Sequence, residues 1–242
     1  MIIILKGIVV EGNKLGRKLG FRTANITCDN KLLSEGTYKI NIKYNGRKYF
    51  GVGAYLKSKG VFESHIFNFD KDIYGKKIEV FILKKIRDNK KFENLDELKK
   101  QISSDIIDAK NKKIRVITFG TFDYFHPGHK SFLKQASFYG DEIITIIATD
   151  KNVEKIKGKA PRHNELLRKE SVIKGGISNI VEIGSNTNPL ECFEKYNPNI
   201  VCLGYDQTGF ISLLSKNEKY KNLEIIRLKS YYPKKYKSSL MK

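Results

Sequence analysis

Apolar residues fall into two rhythms along the chain. From residue 1 to about 110 they come in short runs of strand length. Those runs predict strands at Met1–Leu5, Thr37–Tyr44, Arg47–Gly53, 61–69 and 78–86, with almost no helical spacing between them. Asn45-Gly46 separates the second and third, the dipeptide best suited to a two-residue hairpin turn, and Tyr74-Gly75 marks another turn. Asn94 then reads as a helix cap with Glu97 three residues on, and Leu95, Leu98, Ile102 and Ile106 fall on one side of the helix. A small antiparallel β-barrel followed by one helix accounts for this half.

A polar junction, Ala-Lys-Asn-Lys-Lys at 109–113, ends the first rhythm. Beyond it strands are expected at 114–119, 142–149, 179–183, 200–203 and 223–228, with helices from 127, at 164–174 and at 189–196. That alternation predicts βαβ units and a Rossmann-like parallel sheet. Two domains are expected, 1–110 and 113–242, with neither internal repeats nor low-complexity segments. A ligand of the second should sit beyond the carboxyl ends of its strands.

Composition changes this picture little. The chain has 242 residues, 40% hydrophobic and 30% charged, which suits folded domains and not a disordered chain. Its net charge of +20 admits nucleic acid, membrane surfaces or phosphate-rich small molecules as partners. The lysines are spread along the length, so the first and second are not singled out. Cys28, Cys192 and Cys202 form an odd set without metal or disulfide spacing, as in a reduced cytoplasmic protein. Met1–Leu5 is too short for a signal-peptide core, and no stretch is long enough to span a bilayer.

The chemistry concentrates at Thr118–Lys130, Thr-Phe-Gly-Thr-Phe-Asp-Tyr-Phe-His-Pro-Gly-His-Lys. A buried strand enters it and a helix leaves it, with Pro127 at the first helical position. His126 and His129 then stand at a helix N-terminus, where unpaired N–H groups and the helix dipole favour an anion, and phosphate is the expected guest.

Gly-Thr-Phe-Asp followed by His-Pro-Gly-His resembles the cytidylyltransferase-like superfamily over roughly residues 113–242. The resemblance implies attack of a phosphate on the α-phosphate of a nucleoside triphosphate, with release of pyrophosphate. His126 and His129 would donate hydrogen bonds there, Thr121 and Phe122 would supply backbone contacts, and Gly128 would admit the triphosphate. Lys155, Lys157 and Lys159 lie in a stretch expected to be mobile, where the resemblance implies a phosphate-binding lysine, and Lys159 is taken as that ligand. Asp206, in Gly-Tyr-Asp-Gln at a strand end, would meet ribose or base. Ser238 and Ser239 stand where the superfamily holds β- and γ-phosphates, although only three residues follow them. Within the superfamily the motifs look most like archaeal-type FAD synthetase, with glycerol-3-phosphate cytidylyltransferase as the alternative.

The first half carries Gly12-x-x-x-Gly16-Arg17-x-Leu19-Gly20-Phe21, then Thr23-Ala24-Asn25, Phe62-Glu63-Ser64-His65, Asp72-Ile73-Tyr74-Gly75 and Lys85-Ile86-Arg87. This ordered set resembles riboflavin kinase of the bacterial and eukaryotic type. It implies a nucleotide held by Gly12, Gly16, Thr23 and Asn25, with Mg²⁺ on Thr23 and Asn25, flavin beside Arg87 and Glu63 as general base. The family usually has proline before Thr-Ala-Asn, and Arg22 stands there in this chain. Together the resemblances imply riboflavin, FMN and ATP as small-molecule partners, with no nucleic acid and no membrane expected.

Overall fold

The computed structural model describes residues 2–12, 16, 19–208, 211–221 and 223–236, and divides into two compact units, Met1–Lys113 and Ile114–Lys242. The described residues of the first unit form a closed barrel of β1 (Ile3–Val10), β2 (Thr23–Thr27), β3 (Gly36–Tyr44), β4 (Arg47–Leu56), β5 (Val61–Ile66) and β6 (Lys77–Arg87), in the order β1-β2-β5-β4-β3-β6. Its strand pairs are antiparallel. β2 was not expected, because Thr-Ala-Asn-Ile-Thr is short and carries no clear alternation. Its inward Ala24 and Ile26 join Ile40, Ile42, Phe62, Ile78 and Val80 in the barrel core.

Helix α1 (Leu95–Asn111) follows, with the Asn94 side chain accepting from the Glu97 N–H at 2.9 Å as expected. Leu95 is exposed instead of packed, and the helix buries Asp105 and Ala109. Lys39 on β3, buried, donates to the carbonyls of Ala109 at 2.5 Å and Lys112 at 2.8 Å. A cation thus meets the carbonyl end of α1, where the helix dipole favours it.

In the second unit the described strands are β7 (Arg115–Gly120), β8 (Glu142–Ile147), β9 (Ile180–Ile183), β10 (Ile200–Leu203) and β11 (Glu224–Arg227). All pair in parallel, in the order β11-β10-β7-β8-β9. The order reverses between β7 and β10, which opens a crevice at their carboxyl ends. The described helices are α2 (Pro127–Ala136), α3 (Asp150–Lys157), α4 (Glu165–Lys174), α5 (Glu191–Tyr196) and α6 (Ile211–Ser215).

Helices α3 and α6 were not expected. Thr149 caps α3, Val153 is buried beneath it, and Gly158 closes it at φ +69°, so the helix takes in the first three residues of the 155–161 stretch. Lys155 and Lys157 therefore ride on a helix. Among the described residues no helix is long and apolar enough to cross a membrane.

Candidate active sites

On β5 Phe62, Ser64 and Ile66 point inward, which turns Glu63 and His65 to the outer face. Antiparallel register sets Asn25 opposite Glu63 and Thr23 opposite His65. Directly opposed residues share a face, so four chemically active side chains line one outer patch of the barrel. Gly12 abuts it: a Cβ there would lie 1.7 Å from Asn25 Nδ2, so a side chain at this position would displace the amide. Asn25 is 5% exposed, and its Oδ1 is buried with no hydrogen-bond partner among the described residues. A buried amide oxygen without a donor is costly, and a hard cation satisfies it.

Gly16 accepts from the N–H groups of Leu19 and Phe21, and a Cβ on it would strike the Phe21 carbonyl at 2.3 Å. Arg17 lies outside the described residues. His65 Nδ1 meets the Arg22 carbonyl at 2.9 Å; burial, reinforced by Lys110, lowers its pKa against that bond. Arg87 lies on β6. Its guanidinium grips buried Asp105 at 2.7–3.1 Å, with Gln101 on the same carboxylate, and so fastens α1 to the barrel.

In the second unit β7 ends at Gly120 and the chain turns through Phe122, Tyr124 and Phe125 at φ 56°, 61° and 23°. Three aromatic residues in left-handed conformation within four positions store strain, which the surroundings must hold. Asp123 does much of this. It accepts from the N–H of Tyr124 (3.1 Å), Arg162 (2.9 Å) and His163 (3.3 Å), and pairs with His163 Nδ1 at 2.7 Å. Burial opposes its charge, but the His163 bond and the backbone donors outweigh burial and lower its pKa.

Arg168, 1% exposed, reaches the same place from α4. It donates to the carbonyls of His163 (2.9 Å), Thr121 (2.6 Å) and Ala148 (2.7 Å), and to Asp150 Oδ1 at 2.6 Å. One buried guanidinium thereby joins the loops that follow β7 and β8 to the start of α4.

Pro127 opens α2 with His126 as its cap. The imidazoles of His126 and His129 stack at 3.7 Å, and the Phe122 ring meets His129 edge-on at 5.2 Å. His129 Nδ1 is buried with no hydrogen-bond partner among the described residues. Burial first, then His126 and Lys157, pull the His129 pKa down to about 3, and burial lowers that of His126. Both rings are neutral near pH 7, each with one N–H to donate. Gly128 lies under the Tyr236 carbonyl, 3.1 Å from where a Cβ would be, so the C-terminal segment reaches the histidines.

Lys157 is one of the charges that act on His129. The residue as a whole is exposed, yet its ammonium is partly desolvated, which with Arg168 and Lys159 lowers its pKa against Asp123 and Asp206. Lys159 and Asp206 are exposed nearby in the same electrostatic neighbourhood. Gln207 ties the β10 loop to β7, accepting from Gly204 N at 2.7 Å and donating to the Phe119 carbonyl at 2.8 Å. Ser238 and Ser239 lie outside the described residues.

Asp123 was legible inside Gly-Thr-Phe-Asp but was not singled out. Arg168 and Gln207 carry no signal along the chain, since their partners are brought by the fold. No group of three or more His, Cys, Asp or Glu side chains converges as a metal site among the described residues.

A strand pair presenting a carboxylate beside an orphaned amide, and a histidine pair at a sheet's switch point, are the two candidate sites. The riboflavin kinase family model, Flavokinase, matches residues 2–113, and the cytidylyltransferase-like family model matches residues 117–239. The chain belongs to the cytidylyltransferase-like family through its second half and carries a riboflavin kinase domain in its first.

An FAD synthase of Thermococcus sibiricus is 42% identical over 137 residues, covering 55% of this chain and 90% of the relative. A bifunctional riboflavin kinase/FMN adenylyltransferase of Buchnera aphidicola is 41% identical over 112 residues, 42% of this chain and 36% of the relative. An RNA-binding riboflavin kinase of Bacillus subtilis is 41% identical over 112 residues, 43% of this chain and 48% of the relative. The chain thus spans most of the first relative and half or less of the other two.

Proposed function

We propose that this chain makes FAD from riboflavin in two steps, phosphorylation to FMN by residues 1–110 and adenylylation of FMN by residues 113–242. The observation that carries the proposal is the pairing, in one chain, of the Asn25–Glu63 face with the His126–His129 pair.

In the first step the ribityl 5′-hydroxyl attacks the γ-phosphate of ATP and must lose a proton. Glu63 accepts it as general base, ADP leaves, and FMN forms. Asn25 Oδ1 and the Thr23 hydroxyl offer neutral oxygen ligands to Mg²⁺, and Gly12 and Gly16 let backbone approach the phosphates. Mg²⁺ held by Asn25 and Thr23 would offset the charge of the phosphates.

In the second step the FMN phosphate is already ionised and needs no base. Its oxygen attacks the α-phosphorus of a second ATP, the bond to the bridging oxygen breaks, and pyrophosphate leaves. Neutral His126 and His129 donate N–H to the oxygens where charge builds, Lys157 and Lys159 draw the leaving phosphates, and the N-terminus of α2 adds its dipole. Ser238 and Ser239 would take the β- and γ-phosphates, and Asp206 the ribose.

Free Cys28, Cys192 and Cys202 suit the reducing cytoplasm, where we place the protein. Incubation with riboflavin, ATP and Mg²⁺ should yield both FMN and FAD by chromatography. Consumption of CTP with glycerol 3-phosphate, and none of FMN, would replace the second activity with a cytidylyltransferase.

A further inference from the structure

Residues 158–164 join α3 to α4 and carry Lys159. The two helices set the ends of this connector. Gly158 closes α3 with its N–H on the Glu154 carbonyl, and Asn164 caps α4, its side chain accepting from the Leu167 N–H at 2.9 Å. Between those ends Lys159 and Arg162 are exposed, and the backbone is drawn to Asp123. The N–H groups of Arg162 and His163 donate to its carboxylate at 2.9 and 3.3 Å, and His163 Nδ1 meets Oδ1 at 2.7 Å. An ionised carboxylate can only accept, so Nδ1 carries the proton. The same Oδ1 takes the Tyr124 N–H at 3.1 Å, so one oxygen ties the strained turn at 122–125 to the connector. His163 is itself held, with the Tyr124 ring edge-on at 5.0 Å and Arg168 Nε on its carbonyl at 2.9 Å. Its side chain is 41% exposed and that of Asp123 10%, so the carboxylate needs the partner more than the imidazole does.

We propose that His163 is a positioning residue for the adenylylation site: through Asp123 it holds the α3–α4 connector, and with it Lys159, against the turn that leads to His126 and His129. The inference rests on the adenylylation reading of that site. A flexible connector would spread the Lys159 ammonium over many positions, and a bond to a charged acceptor near its middle narrows them before ATP arrives. His163 touches no reacting atom in this scheme. It acts through Asp123 and Lys159.

The full chain carrying His163→Ala, His163→Asn, Lys159→Ala, or Lys159→Ala with His163→Ala tests this. Two readouts are used: amide hydrogen exchange at Arg162 in protein free of ATP and FMN, and kcat/KM for ATP in the conversion of FMN to FAD. His163→Ala should speed exchange and lower kcat/KM, each about five-fold, the scale of one hydrogen bond. His163→Asn, which keeps an N–H donor near the place of Nδ1, should stay within about two-fold of the unsubstituted chain in both. In the Lys159→Ala background the loss of His163 should cost less than about a further two-fold in kcat/KM, because the group it positions is already gone.

Either readout left unchanged by His163→Ala would overturn the proposal. So would an equal five-fold cost of His163→Ala with and without Lys159, since a residue that only stabilised the unit would act independently of the lysine. If His163→Ala does not fold, His163→Phe, which keeps a ring against Tyr124 without the donor, carries the same expectations and the same refuting outcomes. Failure of the unsubstituted chain to adenylylate FMN would refute the adenylylation reading instead, and exchange at Arg162 would still decide whether His163 holds the connector.

Discussion

His129 sits where burial, the His126 ring and the Lys157 ammonium all oppose a positive charge, and its pKa of about 3 records their sum. In an unfolded chain the same imidazole titrates near 6.5. Between those values the unfolded state binds a proton that the folded state refuses. Stability is therefore complete above about pH 6.5 and falls as pH drops toward 3, by at most about 1.4 kcal/mol per pH unit for this group. Urea unfolding of the second unit should show its midpoint falling from pH 7 to pH 5, and His129→Asn should flatten that slope. Asp123 acts in a lower window: its contribution is present above the usual carboxylate range and is lost as pH falls through its depressed pKa.

The two sites also separate at this scale. On the proposed mechanism Glu63→Gln removes the general base, and it should slow FMN formation about 10²–10⁴-fold while leaving FMN adenylylation intact. His129→Asn should slow adenylylation about 10²–10³-fold and spare the kinase step. Initial rates measured with riboflavin and with FMN as separate substrates check both, and loss of both activities in either variant would argue against two independent centres.

At the level of elements, the second site is a set of loop ends held by side chains from elsewhere. Arg168 on α4 gathers three carbonyls and the Asp150 carboxylate. Asp150 and Glu165 in turn accept each other's backbone N–H, at 3.2 and 2.7 Å, which couples the starts of α3 and α4. Arg168→Met keeps the stem but strands these acceptors, so it should destabilise the second unit by about 3–5 kcal/mol in urea unfolding. The strained turn at Phe122–Phe125 depends on the same ties, so residual folded protein should adenylylate FMN slowly. In the barrel the comparable element is β2, whose outer face holds Asn25 against Gly12 and Glu63.

For the whole molecule, each half carries its own core and its own candidate site. The Thermococcus relative is matched over 90% of its length by 55% of this chain. Residues 114–242 expressed alone should therefore convert FMN to FAD and leave riboflavin untouched. Chromatography of the flavins made by that fragment checks this, and an inactive but folded fragment would show that the second unit needs the first.

Much of this was legible along the chain. Asn45-Gly46, the Asn94 cap and the strand-to-helix run into Pro127 declared themselves because they are local: each depends on dihedrals and hydrogen bonds within a few residues. Glu63, Asn25, His126 and His129 were legible as residue types within motifs. The sequence by itself thus determined two domains of different class and the chemistry each could carry. Only tertiary structure decided that Lys157 acts on the charge of His129, that Arg87 pairs with Asp105, and that His65 meets the carbonyl of Arg22. Those contacts join residues far apart in the chain, and neither spacing nor propensity records them. Their geometry comes from strand register and from what burial does to a charge, and both exist only once the chain has closed on itself.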